Sequence, residues 1–307
     1  MSALTVGELD ELCQVARSLA ERAGDILLDR FQSSLHISFK GQSAHDPVTE
    51  VDHAIEDMVR EEVHRRFPEH GLLGEERDNG GPSSAEVVWV IDPLDGTSNF
   101  INGIGVFACS IGILERGSPI AGAMFLPTNR YLRPGVYHAR RGSGLHFDDE
   151  HVDCTPPQVQ SASRLSTVPG GTGGVTGPTG RRFGVARTFG SAAAEMAFAA
   201  EGSVQMALFE GPQIWDVAGG VVLCQEAGRA IFTRHGRDRQ WQRFTHFGQD
   251  QSGPVLIETL RGWRDGIVAG DPAVLPRVAE DLGREQGIRA SARRAVKQQL
   301  RLPLRRE

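Results

Sequence analysis

The sequence predicts a mixed α/β fold, and three features of the 307-residue chain support this prediction. The segment 87–91 is an unbroken run of β-branched and aromatic residues, which is typical of a buried strand. Two long N-terminal segments, 6–31 and 51–67, repeat apolar residues at helical spacing. Two later apolar runs, 105–114 and 119–126, are separated by a short polar turn and are typical of an antiparallel hairpin. A chain of this length can form one large α/β domain or two smaller ones.

The N-terminal elements follow from the same patterns. The first predicted helix presents Leu9, Leu12 and Leu19 on one face, and a short segment with strand character, 35–39, comes after it. The second predicted helix stops at Pro68, because proline has no amide hydrogen to continue the hydrogen-bond ladder. We therefore expect two amphipathic helices to precede the buried strand.

The buried strand is followed by the sequence Asp-Pro-Leu-Asp-Gly-Thr-Ser. Because proline cannot donate to a central ladder, we expect the strand to end at Pro93. Asp92 and Asp95 then stand at the carboxyl end of the strand, where open α/β sheets place their ligands. Either Thr97 or Ser98 can cap a following helix, whose free amides would attract an anion.

These acids point to a magnesium and phosphate site. Two carboxylates beside an anion-attracting helix start repel each other, and a divalent cation with hard oxygen ligands would remove the conflict. The adjacent acids Glu75 and Glu76 follow a short apolar strand just before this stretch. Asp-Pro and Asp-Gly are also ordinary turn pairs, so these residues alone leave a solvated loop as an alternative.

The second half of the chain predicts further helices and strands. Gly190 supplies a turn and Ser191 a cap for a small-residue helix that runs through Ala200. Another helix begins at Trp215 and ends at Gly228. Strands are predicted at 203–209, 229–233, 255–258 and 267–269, and a last helix is predicted from Asp271 toward Leu282.

Composition divides the chain into parts. The segment 166–182 is nearly all Gly, Thr, Pro and Val and is predicted to separate two sub-domains, 1–165 and 183–275. The remaining segment, 276–307, is basic at its end and is predicted to form a helix and a solvated tail.

Charge and cysteine content narrow the class of protein. The formal net charge of -6 argues against a nucleic-acid partner, whose binding surface would be basic. The four cysteines are widely spaced, which predicts reduced thiols rather than disulfides or a zinc site. No apolar stretch has membrane-spanning length, and the acidic N-terminus does not resemble a signal peptide. We expect a cytoplasmic enzyme with no membrane partner.

Five motifs in order give the chain a resemblance to a known family. They are Asp46-Pro-Val-Thr49-Glu-Val-Asp52, Gly74-Glu75-Glu76, Trp89-Val-Ile-Asp92-Pro-Leu-Asp95-Gly-Thr97-Ser-Asn-Phe100, Gly190-Ser191-Ala192 and Trp215-Asp216-Val-Ala-Gly219. With these motifs the chain resembles the inositol monophosphatase family of Mg²⁺-dependent phosphomonoesterases over roughly residues 8–272. The resemblance implies a layered αβαβα sandwich, of the α+β/α/β type shared with fructose-1,6-bisphosphatase, and a homodimer.

The resemblance also implies a ligand set for two or three Mg²⁺ ions per subunit. Glu75, Asp92, Asp95 and Asp216 are similar to the family's carboxylate ligands, and the Leu94 carbonyl is similar to its backbone ligand. On this basis the sub-domain 1–165 carries most of the metal ligands, and the sub-domain 183–275 carries Asp216 and the substrate-facing helix.

Catalytic and substrate-binding residues are implied in the same way. Glu76 and Thr97 match the family's partners of the attacking water, and Asp46 and Thr49 match its supporting residues. The residues that match phosphate and substrate contacts are Gly96, Thr97, Gly190, Ser191, Ala192 and Glu210. The implied reaction is direct hydrolysis of a small polyol or sugar phosphate, first of all inositol monophosphate, by metal-activated water.

The chain departs from the family pattern at three positions. Gln205 stands where the family usually has an acid, and Arg229 stands where it often has a glycine. Glu210 lies one position away from the expected substrate-binding acid, so that Phe209 can occupy its place. The departures bear on which alcohol is recognised.

The sequence leaves three further interpretations open. Within the same fold, the substrate can be fructose 1,6-bisphosphate, histidinol phosphate or an adenosine 3′,5′-bisphosphate such as 3′-phosphoadenosine 5′-phosphate. A phosphatase of the haloacid dehalogenase type is a second possibility, although its acids stand two apart and Asp92 and Asp95 stand three apart. A non-catalytic homologue that binds a sugar phosphate is the third.

Overall fold

The computed structural model describes residues 4–33, 37–39, 47–157, 159–170, 183–236, 240–248 and 255–282. The helices are α1 (Val6–Arg30), α2 (Glu50–Arg66), α3 (Thr97–Ile101), α4 (Ala192–Glu201), α5 (Ile214–Glu226) and α6 (Ile257–Arg261), and residues 275–282 are also helical. The strands of the first half are β1 (Ile37–Phe39), β2 (Pro47–Thr49), β3 (Gly71–Gly74), β4 (Val87–Asp95), β5 (Ala108–Glu115), β6 (Ser118–Asn129), β7 (Arg133–Arg140), β8 (His146–Phe147) and β9 (Glu150–His151). Those of the second half are β10 (Leu165–Thr167), β11 (Val185–Arg187), β12 (Met206–Phe209), β13 (Ala230–Arg234), β14 (Gln242–Arg243) and β15 (Gly266–Gly270).

Two larger sheets carry the fold. The first has seven strands in the order β3-β4-β5-β6-β7-β8-β9, and within it β3 and β4 are parallel while each later pair is antiparallel. The second has six strands in the order β11-β10-β12-β15-β13-β14. The predicted hairpin is confirmed as β5 and β6, with positive φ angles of 49° at Arg116 and 78° at Gly117 in its turn.

Helices and sheets alternate in five layers. Helices α1 and α2 pack on one face of the seven-stranded sheet, where Leu19, Ile55 and Ile111 belong to one buried cluster. Helices α4 and α5 lie between the two sheets and contact both. The helical residues 275–282 pack on the outer face of the second sheet, where Leu275 and Val278 meet the residues of β12, β13 and β15. This arrangement is the predicted αβαβα sandwich.

Helix α5 approaches the first sheet at backbone distance. A Cβ atom added at Gly112 of β5 would lie 2.7 Å from the Gly219 nitrogen. A Cβ atom added at Gly219 would in turn lie 2.7 Å from the Ser110 hydroxyl oxygen. Glycine is therefore required on both sides of this contact, since any side chain would push the helix away from the strand.

The long helices begin where the sequence predicted. In α1, the Thr5 amide donates to Glu8 Oε2 over 2.7 Å, and the Glu8 amide donates back to the Thr5 hydroxyl over 3.3 Å. This reciprocal pair satisfies amides that the helix itself leaves free. The predicted cap at Ser191 is also confirmed, because its hydroxyl accepts from the Ala194 amide at the start of α4.

Three local predictions are wrong. Strand β4 continues through Pro93 to Asp95, and the pairing with β5 shifts register between Asp92 and Asp95, so the proline lies where the ladder needs no donor. Helix α3 begins at Gly96, which offers no side chain, instead of being capped by Thr97 or Ser98. Residues 257–261 form helix α6 rather than a strand, since Ile257 and Leu260 are buried at helical spacing.

Several predictions concern residues outside the described ranges. They include Asp46, most of the segment 166–182, and the tail from residue 283 onward. The division at residue 165 stays a prediction, although the seven-stranded sheet takes its strands from before this point and the six-stranded sheet from residue 165 onward. Among the described helices, none is both long and apolar enough to cross a membrane.

Candidate functional site

The irregular end of β4 presents the first candidate residues. Asp92 is almost completely buried, and its Oδ1 atom accepts a 3.1 Å hydrogen bond from the Leu94 amide. The Leu94 carbonyl accepts a 2.9 Å hydrogen bond from the Thr97 hydroxyl. The register shift after Asp92 therefore places a carboxylate, a backbone carbonyl and a hydroxyl on one short turn.

Gly96 ends this turn and lies close to Ser191, in the second half of the chain. Its φ angle is 87°, in the left-handed region that favours glycine. A Cβ atom here would also lie 3.0 Å from the Val106 carbonyl oxygen and 3.1 Å from the Ser191 Cβ. The start of α3 can approach the start of α4 because this residue has no side chain.

Asp95 is held by the N-terminus of α4. Its Oδ2 atom accepts hydrogen bonds of 2.6 Å from the Ser191 hydroxyl and 2.6 Å from the Ala193 amide. The helix start is thus occupied by a carboxylate, which its free amides and dipole stabilise. The predicted substrate-facing residues Gly190, Ser191 and Ala192 are therefore directly beside a predicted metal ligand.

Asp216 lies in the first turn of α5. Its Oδ2 atom accepts a 2.9 Å hydrogen bond from the Gln213 amide, which forms a capping box at the helix start. Burial raises the pKa of Asp216 to about 8, and the nearby Asp95 charge adds to the increase. The helix start alone would lower this pKa, so burial and the charges of Asp95 and Glu75 outweigh it.

The four acids lie within electrostatic range of one another. The pKa of Asp92 is raised well above its usual value by burial, followed by the charges of Glu75, Asp95 and Asp216. Burial also raises the pKa of Asp95 to about 6, against the hydrogen bond from Ser191, and Glu75 contributes to this increase. Four carboxylates from different elements therefore form one region of unfavourable negative charge.

The acids are close, but they do not already surround one point. Within the described ranges, no three His, Cys, Asp or Glu side chains are arranged to hold an ion as they stand. Asp92, Asp95 and Asp216 each accept a hydrogen bond on one carboxylate oxygen, and each has a second oxygen. The donors are the Leu94 amide, the Ser191 hydroxyl and the Gln213 amide, respectively. The donor set consists of oxygen atoms, which fits a hard divalent cation such as Mg²⁺.

The Glu75–Glu76 segment is held in place by hydrogen bonds to a buried acid, Glu56. Glu56 of α2 accepts hydrogen bonds of 2.8 Å from the Glu76 amide and 3.2 Å from the Arg77 amide. A Cβ atom at Gly74 would lie 2.1 Å from Glu56 Oε1, so a glycine is needed for the segment to reach this carboxylate. The backbone that carries both predicted acids is therefore held in place at the end of β3.

Thr49 lies at the start of α2 and bonds to a carboxylate. Its amide and hydroxyl donate to Asp52 Oδ2 over 2.9 and 2.6 Å, respectively. Burial raises the pKa of Asp52 to about 6, and Glu75 contributes to the increase. Asp46, which the sequence placed beside Thr49, lies outside the described residues.

A cavity of about 320 Å³ adjoins Asp216. It is lined by residues of the loop before α4, of β12 and of the loop before α5, including Gly190, Ser191, Ala192, Glu195, Phe209, Glu210 and Asp216. Glu210 forms an ion pair with the buried Arg234. Glu210 and Phe209 both face the cavity, so the shift in the sequence motif does not remove the acid from it.

Two acids near the site were not predicted as site residues. Asp52 accepts both hydrogen bonds from Thr49, and its three-residue spacing from a threonine before a helix was a usable capping signal. Glu195 is buried, lines the cavity and accepts a 2.7 Å hydrogen bond from the Phe189 amide. No local pattern distinguishes Glu195 from an ordinary acid in the first turn of a helix.

The remaining departures from the motif pattern, Gln205 and Arg229, have structural partners. Gln205 is buried and bonds to Ser161. Arg229 donates to the Ala200 carbonyl over 2.9 Å and to the Cys154 carbonyl over 2.6 Å, which fixes the end of α4. Neither residue lines the cavity beside the acids.

The layered sandwich, with its acid cluster at the ends of β4 and α5, defines the class as a phosphatase. The chain belongs to the inositol monophosphatase family, whose model matches residues 8–261. Inositol monophosphatase 1 of Solanum lycopersicum is 32% identical over 247 residues, covering 76% of this chain and 88% of that protein. Nus factor SuhB of Xylella fastidiosa is 31% identical over 260 residues, covering 79% and 86%.

Solved structures share the fold. The suhB protein of Bartonella henselae aligns with a TM-score of 0.68 at 24% identity, covering 89% of this chain and 98% of that chain. An IMPase/NADP phosphatase solved with Mg²⁺ and phosphate aligns with a TM-score of 0.67 at 17% identity, covering 89% and 95%. The predicted αβαβα sandwich and the predicted enzyme class, a phosphoric monoester hydrolase, are confirmed.

Proposed function

We propose that the chain is a Mg²⁺-dependent phosphomonoesterase that hydrolyses a small polyol or sugar phosphate, with inositol monophosphate as the first candidate. The observation that carries this proposal is the position of Glu75, Asp92, Asp95 and Asp216 within electrostatic range of one another. Their mutual repulsion is unfavourable in the protein alone, and a divalent cation would neutralise it.

The proposed ligands are these four carboxylates and the Leu94 carbonyl, for two or three ions. When bound, Mg²⁺ would supply Lewis-acid stabilisation of the phosphate oxygens and a more acidic water. The three carboxylates that bond to Leu94, Ser191 and Gln213 are each oriented by those groups. Hydrogen bonds that orient ligand side chains in this way preserve the geometry that a metal site needs.

The chain's own residues provide the remaining roles. The Thr97 hydroxyl gives its hydrogen to the Leu94 carbonyl, so its lone pairs can accept a hydrogen bond from the attacking water. Glu76 is the proposed acceptor of the water's proton, with Thr49 and Asp46 in support. The Gly96 and Thr97 amides are the proposed phosphate contacts, since they open α3 and Gly96 leaves room for a close approach.

The cavity beside α4 is the proposed site for the alcohol part of the substrate. Gly190, Ser191 and Ala192 line it, and Glu210 offers a carboxylate that can accept hydrogen bonds from hydroxyl groups. Its volume of about 320 Å³ suits a small ligand. Fructose 1,6-bisphosphate, histidinol phosphate and adenosine 3′,5′-bisphosphates remain competing candidates for the substrate.

A haloacid dehalogenase phosphatase and a non-catalytic homologue are less well supported. Family membership contradicts the haloacid dehalogenase interpretation, which requires a different fold and an aspartyl nucleophile. All four acids are present and close together, which argues against a non-catalytic homologue. A homodimer remains a prediction from the resemblance.

The test is hydrolysis by the purified chain of a panel of phosphate esters, with and without Mg²⁺. We expect release of phosphate from inositol monophosphate that requires Mg²⁺ and stops on chelation. Preference for another ester of the panel would assign a different substrate to the same reaction. An absence of hydrolysis for every ester at saturating Mg²⁺ would contradict the proposed function.

A further inference from the structure

Arg261, the last residue of α6, holds the segment that carries Glu75 and Glu76. Its Nη2 atom donates to the Gly74 carbonyl over 3.0 Å and to the Arg77 carbonyl over 3.1 Å. These two carbonyls belong to the residues immediately before and after the acidic pair. One guanidinium therefore binds the segment on both sides of its acids.

A third bond extends this contact. Arg261 Nε donates to Asn79 Oδ1 over 2.9 Å, and the side-chain amide of Asn79 donates to Glu258 of α6 over 2.5 Å. The planar guanidinium reaches three acceptors at once, which an ammonium group cannot reproduce in the same geometry. Together with the bonds to Glu56 of α2, the segment 74–79 is held by side chains of two different helices.

The same guanidinium also contacts helix α5, which carries Asp216, the acid that lies farthest along the chain from Glu75 and Glu76. Its carbon lies 5.5 Å from the centre of the Trp215 ring, within the range of a cation–π interaction. Trp215 is buried and directly precedes Asp216 in the first turn of α5. Arg261 thus bridges β3 and α5, which supply acids from opposite halves of the chain.

We propose that Arg261 is a positioning residue that fixes the Glu75–Glu76 segment relative to the start of α5 and thereby sets the affinity of the acid cluster for Mg²⁺. This inference rests on the proposed function for its biological meaning. Its physical basis is general, because side chains that orient metal ligands change metal affinity or activity by roughly 10–100-fold when they are replaced.

Charge and positioning predict opposite results for Arg261→Gln. If the guanidinium acted only through its positive charge, its removal would tighten Mg²⁺ binding, because one cation near the site would be gone. If it positions the acidic segment, its removal weakens Mg²⁺ binding even though the repulsion falls. The sign of the change therefore separates the two roles.

Arg264 provides a matched control. Its guanidinium carbon lies 5.8 Å from the same Trp215 ring, but its Nη1 atom donates to the carbonyls of Arg261 and Trp263 in its own segment. Arg264→Gln therefore removes an equal charge beside the same aromatic ring without releasing residues 74–79. We expect this variant to bind Mg²⁺ as tightly as the wild type or more tightly.

The experiment titrates Mg²⁺ into the substrate-free wild type, Arg261→Gln, Arg261→Lys and Arg264→Gln by calorimetry. We expect a dissociation constant about tenfold higher for Arg261→Gln. Arg261→Lys keeps the charge and provides a second variant if the glutamine variant does not fold, and its loss should be smaller but of the same sign. Equal or tighter binding in both Arg261 variants would overturn the proposal.

Amide hydrogen exchange gives a readout that needs neither metal nor turnover. The Glu76 and Arg77 amides, which donate to Glu56, should exchange faster in Arg261→Gln and at an unchanged rate in Arg264→Gln. If the wild type hydrolyses no phosphate ester while these exchange rates still depend on Arg261, the proposed function fails and the positioning role stands. Unchanged exchange in Arg261→Gln would overturn the positioning role.

Discussion

The Ser191 hydroxyl donates a 2.6 Å hydrogen bond to Asp95 Oδ2 and thereby connects two residues that lie 96 positions apart in the chain. The same hydroxyl accepts from the Ala194 amide and caps α4. One side chain therefore both stabilises a helix start and orients a proposed metal ligand.

Replacement of Ser191 should reveal both roles. In Ser191→Ala the lost cap should lower the free energy of unfolding by about 1 kcal/mol. Because Asp95 would lose a hydrogen bond that orients it, kcat/KM should fall by roughly tenfold or more. Urea denaturation and phosphate release are the measurements.

Thr5→Ala is the control, because Thr5 caps α1 through its own hydroxyl, far along the chain from the acids. It should lose similar stability and keep full activity. Equal activities of Ser191→Ala and the wild type would show that the contact with Asp95 serves stability alone.

Asp92→Asn should abolish hydrolysis without unfolding the protein. The amide keeps the shape of the side chain but removes a negative charge that Glu75, Asp95 and Asp216 repel. We expect activity to fall by at least about 100-fold and the metal-free variant to unfold at a higher temperature than the metal-free wild type. Asp149→Asn, at an exposed ion pair with Arg17, should change neither property.

Asp95 and Asp216 should make the metal-free protein less stable as pH rises. An unfolded aspartate loses its proton near its ordinary pKa of 3.8, whereas folded Asp95 and Asp216 hold theirs up to about 6 and about 8. Between these values the two carboxyl groups bind more protons in the folded state than in the unfolded state, so their contribution to the free energy of unfolding decreases with pH.

This trend is measured by urea denaturation with a chelator at several pH values between 4 and 8.5 (about the range in which carboxylates with raised pKa titrate). Saturating Mg²⁺ should flatten it, because the cation stabilises the ionised carboxylates. Asp216→Asn should remove the decrease in stability at the upper end of this pH range. Half-buried His70, whose pKa is lowered to about 4, contributes the opposite trend up to its ordinary pKa of 6.5, so the deciding comparison is made above that pH. There, an equal decrease of stability with pH in the chelated wild type and in Asp216→Asn would contradict the assignment.

The contact between Gly112 and α5 should not tolerate a side chain. In Gly112→Ala the new methyl group would meet the Gly219 nitrogen at 2.7 Å, so the helix must move or the strand must bend. We expect a loss of about 1–3 kcal/mol in the free energy of unfolding. Activity should fall as well, because α5 carries Asp216.

Gly7→Ala is the control for this variant. Gly7 lies in α1 with no atom within 4 Å of an added Cβ. Alanine should be neutral there or stabilise the helix by up to about 1 kcal/mol. A Gly112→Ala protein as stable and active as the wild type would show that the two backbones can separate freely.

Local patterns predicted much of the fold because several elements carry their own start and stop signals. Ser191 begins helix α4 through a bond to a residue three positions away, and the sequence predicted this cap. The turn at Arg116–Gly117 is equally local. The layered arrangement came from the resemblance, since the order of motifs and not any single pattern indicates how the sheets stack.

The errors arose where tertiary contacts decide the local structure. Pro93 remains in β4 because the pairing with β5 slips at that point, and no property of the proline itself indicates this. Residues 257–261 contain β-branched and apolar residues in a run too short for their period to be read. Arg261 was missed because its acceptors are mostly backbone carbonyls of a distant segment, which no sequence motif records.

The placement of α5 in the middle layer has a consequence for biosynthesis. Three of the acids emerge from the ribosome by residue 95, while the fourth follows only at residue 216. Until α5 docks on Gly112, the proposed metal site lacks Asp216. The proposed metal site is therefore completed late, and a nascent chain that stops short of this helix carries three of the four acids without the last one.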